Sequence, residues 1–155
     1  MRRKGQMSNY GRSDRNQRQQ SQHKSQHIEY PSVQKPLSTY FNDAKDLYLP
    51  SGRSYQIAED FKEIASHQLR KILNGTKQAI ILGSTDFDSA QKQMFMLVAM
   101  TAYNKGRMGN KLMPLYKFMS STINESSIKT MDDIKTFDTL FTSIVAYHKL
   151  IAKGN

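Results

Sequence analysis

The sequence predicts an all-α fold, a compact bundle of about five helices preceded by a disordered basic N-terminal tail. Three observations carry this. From residue 53 onward apolar side chains recur at three- and four-residue intervals, and strand-like alternation is rare. Helix start and stop residues fall where that rhythm breaks, at Pro50-Ser51-Gly52, Ser66, Gly106 and Thr130. Composition also changes sharply near Leu37: residues 1–38 carry eight Lys or Arg against Asp14 and Glu29, with repeated Gln and Ser and almost no aliphatic side chains. Such a segment cannot bury enough apolar surface to offset its ordering entropy. The chain therefore divides into a disordered tail, residues 1–37, and a helical domain, residues 38–155.

The first element is a short helix over 38–49, where Tyr40, Ala44 and Tyr48 fall one turn apart. Residues 53–65 read as a loop with a partial turn around 59–64. Ser66 is the expected N-cap of the next helix, its hydroxyl able to accept from a free first-turn N–H. Leu69, Ile72, Leu73, Thr76 and Ile80 then make one face, while Arg70, Asn74 and Lys77 form a polar stripe with Lys71 beside it. Gly75 costs that helix roughly 1 kcal/mol relative to Ala; close approach by another backbone would explain it. Residues 89–103 have no charge between Lys92 and Lys105 and are apolar around most of the circumference, so they read as the central buried helix. Gly106 is its expected C-cap, leaving Arg107 in a Gly-bracketed loop to Gly109. Pro114 requires an early position in the following helix, which carries Leu112, Leu115, Tyr116, Met119 and Ile123 on one side. Thr130 with Asp133 forms a capping box in its Asp version. It opens the longest helix, packed along Ile134, Phe137, Phe141, Ile144, His148 and Ile151.

The formal net charge is +10, and residues 39–155 are basic in their own right, fifteen Lys or Arg against eleven acids. That balance makes nucleic acid the first partner to consider. Arg2 and Arg3 are followed by no apolar stretch of signal-peptide length, and the longest apolar run, Met94 to Met100, is far too short to span a bilayer. The reading is a soluble, cytoplasmic protein with no membrane partner. With no cysteine, disulfides and thiolate chemistry are absent together.

No residues support catalysis, a metal or a cofactor. His23 and His27 lie in the tail. His67 is an exposed first-turn residue, and His148 reads as a packed histidine on an apolar face. Asp86 and Asp88, and Asp132 and Asp133, precede or open helices, where capping and the helix dipole account for them. The glycines at 106 and 109 lack the Lys-Ser/Thr pair of a Walker-type loop. The candidate nucleic-acid-binding residues are Arg70, Lys71, Lys77, Lys105, Arg107 and Lys111. Arg70 and Arg107 lead this set because a planar guanidinium grips phosphate oxygens bidentately.

Several of these segments resemble the small subunit of the type III-A CRISPR (Csm) effector complex. Residues 64–73, Ile-Ala-Ser-His-Gln-Leu-Arg-Lys-Ile-Leu, are similar to that family's Leu-Thr-Thr-Ser-x-Leu-Arg-x-x-Leu. Tyr103-Asn104-Lys105-Gly106-Arg107 resembles its Tyr-x-x-Gly-Arg, and residues 143–149 its Ala-Leu-Val-Ala-Tyr-x-Lys. Tyr40 to Ala44 is similar to its opening Tyr-x-x-x-Ala. The resemblance covers about residues 38–153, with Ala65 in place of a usual Thr and Ala152-Lys153-Gly154 in place of Gly-Gly.

The resemblance implies a non-catalytic, RNA-binding structural subunit. Several copies would self-associate into a short filament bracing guide RNA and target RNA beside the backbone and large subunits of the complex, which hold the cleavage sites. Phosphate contacts would serve, since base pairing supplies the sequence specificity. The tail reads as a solubilising extension, with an added RNA contact as its functional alternative. The competing class is a stand-alone helical protein-interaction module without an RNA role.

Overall fold

The structure, a computed structural model, describes residues 28–152. Its helices run in the order α1 (Leu37–Tyr40), α2 (Ala44–Tyr48), α3 (Arg53–Asp60), α4 (Ser66–Gly83), α5 (Phe87–Met108), α6 (Met113–Thr122) and α7 (Met131–Ile151), with a 3₁₀ turn (Gly109–Leu112) between α5 and α6. No strand occurs among the described residues. Five of these helices are longer than a single turn or so, and they make the bundle.

The buried centre is α7. Ile134, Phe137, Leu140, Phe141, Ile144 and His148 are sealed along it, and α1 to α5 all pack against it. Phe118 of α6 joins its rings to Phe137 and Phe141, both at 6.0 Å between centroids, and meets Phe61 edge-on at 5.7 Å. The capping box expected at Thr130 and Asp133 is present. His148 is the packed residue the sequence indicates: its Nε2 lies 2.8 Å from the Ile64 carbonyl and 3.1 Å from that of Phe61. It thereby ties the α3–α4 turn to the end of α7.

Several local expectations change. Of the proposed tail, residues 1–27 lie outside the described residues, while residues 28–37 pack on the domain. Val33 and Leu37 are buried, and their N–H groups donate to the Ser121 and Ser127 carbonyls at 2.9 and 3.0 Å. Average composition hid these two apolar anchors among polar neighbours. The helix expected over 38–49 is two single turns, because Asp43 caps α2 by accepting from the Lys45 N–H at 3.0 Å. Residues expected to loop form α3 instead, which buries Ile57 and Ala58. Ser66 is the first helical residue of α4 and not its cap, which is Ala65; the Ser66 hydroxyl accepts from Arg70 at 3.2 Å.

The hairpin of α4 and α5 positions the surface of interest. The two helices run antiparallel, with the Gln68 amide 3.2 Å from the Met108 sulfur at one end. At the middle, a Cβ on Gly75 would strike the Leu97 side chain. The close approach inferred for Gly75 is therefore real, but the neighbour is a side chain and not a backbone.

Candidate nucleic-acid interface

Charge is segregated along this chain. Residues 64–85 and 89–124 contain no Asp or Glu, yet hold Arg70, Lys71, Lys77, Lys92, Lys105, Arg107, Lys111 and Lys117. The fold gathers those two stretches into α4, α5, the 3₁₀ turn and α6, while the acids of the described residues stay on α2, α3, α7, the helix starts and the connecting segments that hold Glu29, Glu63 and Glu125. These stretches therefore carry cations without acids of their own, although Lys77 pairs with Asp138 of α7 and Lys117 shares a hollow with Asp60 of α3.

Helix α5 is not the buried centre the sequence suggests. It packs on α4 and α6, and its outer face carries Met96, Met100 and Tyr103 at 51, 47 and 66% exposure. Apolar composition reports what a helix can bury, not how many neighbours cover it. The helix also runs past Gly106 to Met108, and the terminating residue is Gly109, whose φ of +84° suits glycine.

That extension relocates Arg107. It sits in the last helical turn, not in a loop, and its guanidinium carbon lies 5.7 Å from the centroid of the Tyr103 ring one turn earlier. A position in the last turn also places its charge favourably against the helix dipole. Lys105 is two residues away, about 200° around the helix. It is partly buried and does not share a face with Arg107.

The cations of α4 also diverge. Arg70 and Lys77, seven residues apart, share the stripe that faces α7, where Lys77 pairs with Asp138 at 2.8 Å. Lys71 leans the other way, lining a shallow notch of about 20 Å³ between the helices with Gln68, Met100, Thr101 and Asn104. Lys111 stands exposed on the 3₁₀ turn that follows. The structure thus places Lys71, Arg107 and Lys111 around the α4–α5 seam and turn. Arg70 and Lys77 fall to one side of the seam and Lys105 to another. Sequence reasoning missed Tyr103, Met100 and Asn104 as members of this surface. The usable signal was the four-residue spacing of Tyr103 and Arg107, which means a shared face once the helix passes Gly106.

The carboxylates behave as caps. Asp86 opens α5 by accepting from the Ser89 hydroxyl at 2.7 Å and the Asp88 N–H at 3.1 Å, and these bonds hold it below the usual carboxylate range. No cluster of three or more His, Asp or Glu gathers among the described residues. None of the described helices is long and apolar enough to cross a membrane.

A profile of the Csm2 type III-A family matches residues 44–154, which takes in every helix from α2 to α7. The chain belongs to the Csm2 type III-A family. It is a structural small subunit of the type III-A CRISPR Csm complex, as the resemblance implied. No curated protein and no solved structure gave a match.

Proposed function

We propose that this Csm subunit braces guide RNA and target RNA through phosphate-backbone contacts made by its α4–α5 side, with several copies stacking along the complex and none performing chemistry. The supporting observation is the segregation of charge: two acid-free stretches packed together as α4 and α5, with Lys71, Arg107 and Lys111 around their seam and turn. Cations held on rigid helices read a backbone path and not a base sequence, which suits a subunit whose complex obtains specificity from pairing.

Within that surface, Arg107 and Lys71 flank the seam, Lys111 extends it around the turn, and Arg70 adds a second contact on the α7 side. Lys77 is partly spent on Asp138, and Lys105 is turned away, so both contribute less. Stacking multiplies weak single-copy binding, because each further copy engages the same RNA at high effective concentration.

The test is a Csm complex reconstituted with Arg70→Ala/Arg107→Ala subunits. Assembly should persist, since both side chains are exposed, while target RNA affinity falls. Intact assembly with unchanged affinity would reject the assignment.

A further inference from the structure

An exposed aromatic ring among exposed methionines on the outer face of α5 calls for an explanation. On α5, Leu97 and Thr101 are sealed against the bundle, whereas Tyr103 is the most open large apolar residue of its helix. Its ring is also already oriented. Arg107 sits over it at 5.7 Å, which restrains both side chains before any partner arrives. Met100, one turn back, supplies an adjoining soft apolar surface.

The surroundings limit what can lie on that ring. Among the described residues the ring lines no hollow of its own: the notch of about 20 Å³ between Met100, Asn104 and Lys71 does not include it and has room for little more than a water molecule. A bound group must therefore rest on the surface and not enter a pocket. No acidic residue occurs between positions 89 and 124 or between 64 and 85, so Arg107 over the ring and Lys71 across the α4–α5 notch present charge that their own stretches of chain do not compensate. An apolar protein face would have to desolvate those cations. A nucleotide brings a flat π-face and an anion together, matching ring and cations at once.

We infer that Tyr103 is a stacking platform for an unpaired RNA base, with Arg107 and Lys71 taking the flanking phosphates. The inference rests on the RNA-bracing function proposed above and narrows it. A paired A-form helix keeps its bases stacked inside, so the platform takes a single-stranded or locally unpaired nucleotide. It does so without choosing among bases, since every base has a π-face.

The chain has no tryptophan, so Tyr103→Trp gives the full-length protein one indole, placed at the platform. Oligouridylate and a fully paired RNA duplex of equal length are titrated in low salt. Indole emission reads stacking, and anisotropy of the labelled RNA reads binding. Single strand should quench the indole over the range where anisotropy reports binding, and duplex should bind without quenching. Tyr103→Leu should weaken single-strand binding about tenfold, the order expected from losing one stacked base, with duplex affinity unchanged and Tyr103→Phe like wild type. Binding by anisotropy with no quenching, or with no loss in Tyr103→Leu, overturns the platform and leaves phosphate bracing intact. Absence of RNA binding in the anisotropy channel removes both.

Discussion

Asp133 is fully buried, and its carboxylate holds three segments together. Oδ1 accepts from the Ser38 N–H at 2.9 Å and the Ser38 hydroxyl at 2.8 Å; Oδ2 accepts from the N–H groups of Lys129 and Thr130 at 2.8 and 2.9 Å. Asp133→Ala removes the acceptor from three amides. Lys129 and Thr130 are exposed residues, so water replaces the carboxylate there, whereas Ser38 is half-buried where α1 meets α7. One stranded amide at about 1–3 kcal/mol, together with a lost charge-assisted bond at about 1.5–3 kcal/mol, gives a destabilisation of roughly 2.5–6 kcal/mol. That is a large share of the 5–15 kcal/mol typical of a small domain. Asp132, exposed in the same turn, should cost at most about 1 kcal/mol when replaced by Ala.

Denaturant unfolding followed by helical circular dichroism measures both variants. The pH dependence supplies a second arm. Burial pushes the Asp133 carboxyl up, but the bonds from Ser38, Lys129 and Thr130 outweigh it and hold the group below its ordinary range. Its stabilising effect is then fully present above the unfolded carboxylate value of about 3.9 and disappears as pH falls through the lower folded value. The stability gap between wild type and Asp133→Asn should therefore be flat near neutrality and shrink in acid. An Asp133→Ala protein within about 0.5 kcal/mol of wild type, the range of an ordinary surface change, would refute the reasoning. So would a gap that widens in acid.

Three further outcomes follow from the same structure. Gly106 lies inside α5 with open space around it, so Gly106→Ala should stabilise by about 1 kcal/mol, whereas Gly109→Ala should destabilise because of its positive φ; thermal melts of the pair locate the helix end. Gly75→Ala should lose about 1–3 kcal/mol by overpacking against Leu97 in spite of its better helix propensity, measured by denaturant midpoint. His148→Ala should cost roughly 2–4 kcal/mol by removing the imidazole from the Ile64 carbonyl, its nearer contact at 2.8 Å, and opening a cavity, with increased exchange of the amides around residue 64 as the diagnostic sign.

The helices that the sequence shows clearly are those with a local cause. The Thr130–Asp133 box, Pro114 early in α6 and the period through Ile134, Phe137, Phe141 and Ile144 all act within a turn or two, and each appears as expected. What the sequence hid depends on distant partners. Val33 and Leu37 look like stray apolar residues in a polar tail until the carbonyls of Ser121 and Ser127 receive their N–H groups. Residues 53–60 have a weak helical pattern and become helical against α7. The apolar content of α5 points to it as the centre, but content is not burial, and α7 has the neighbours. The site followed the same rule. Each cation was visible singly, but ending the helix at Gly106 made Lys105 and Arg107 look like one cluster. Two more residues of helix separate them and bring Arg107 over Tyr103.

The central claim is that cations of the α4–α5 side neutralise RNA phosphates, and the salt dependence of target RNA affinity in the reconstituted complex tests it most directly. Each phosphate contact contributes about 0.7–0.9 to the slope of log affinity against log salt. The account predicts that Lys71→Ala/Arg107→Ala subunits give a shallower line than wild type, while Lys77→Ala, which mainly frees Asp138, leaves the slope nearly unchanged. Parallel lines for wild type and the double variant would contradict it.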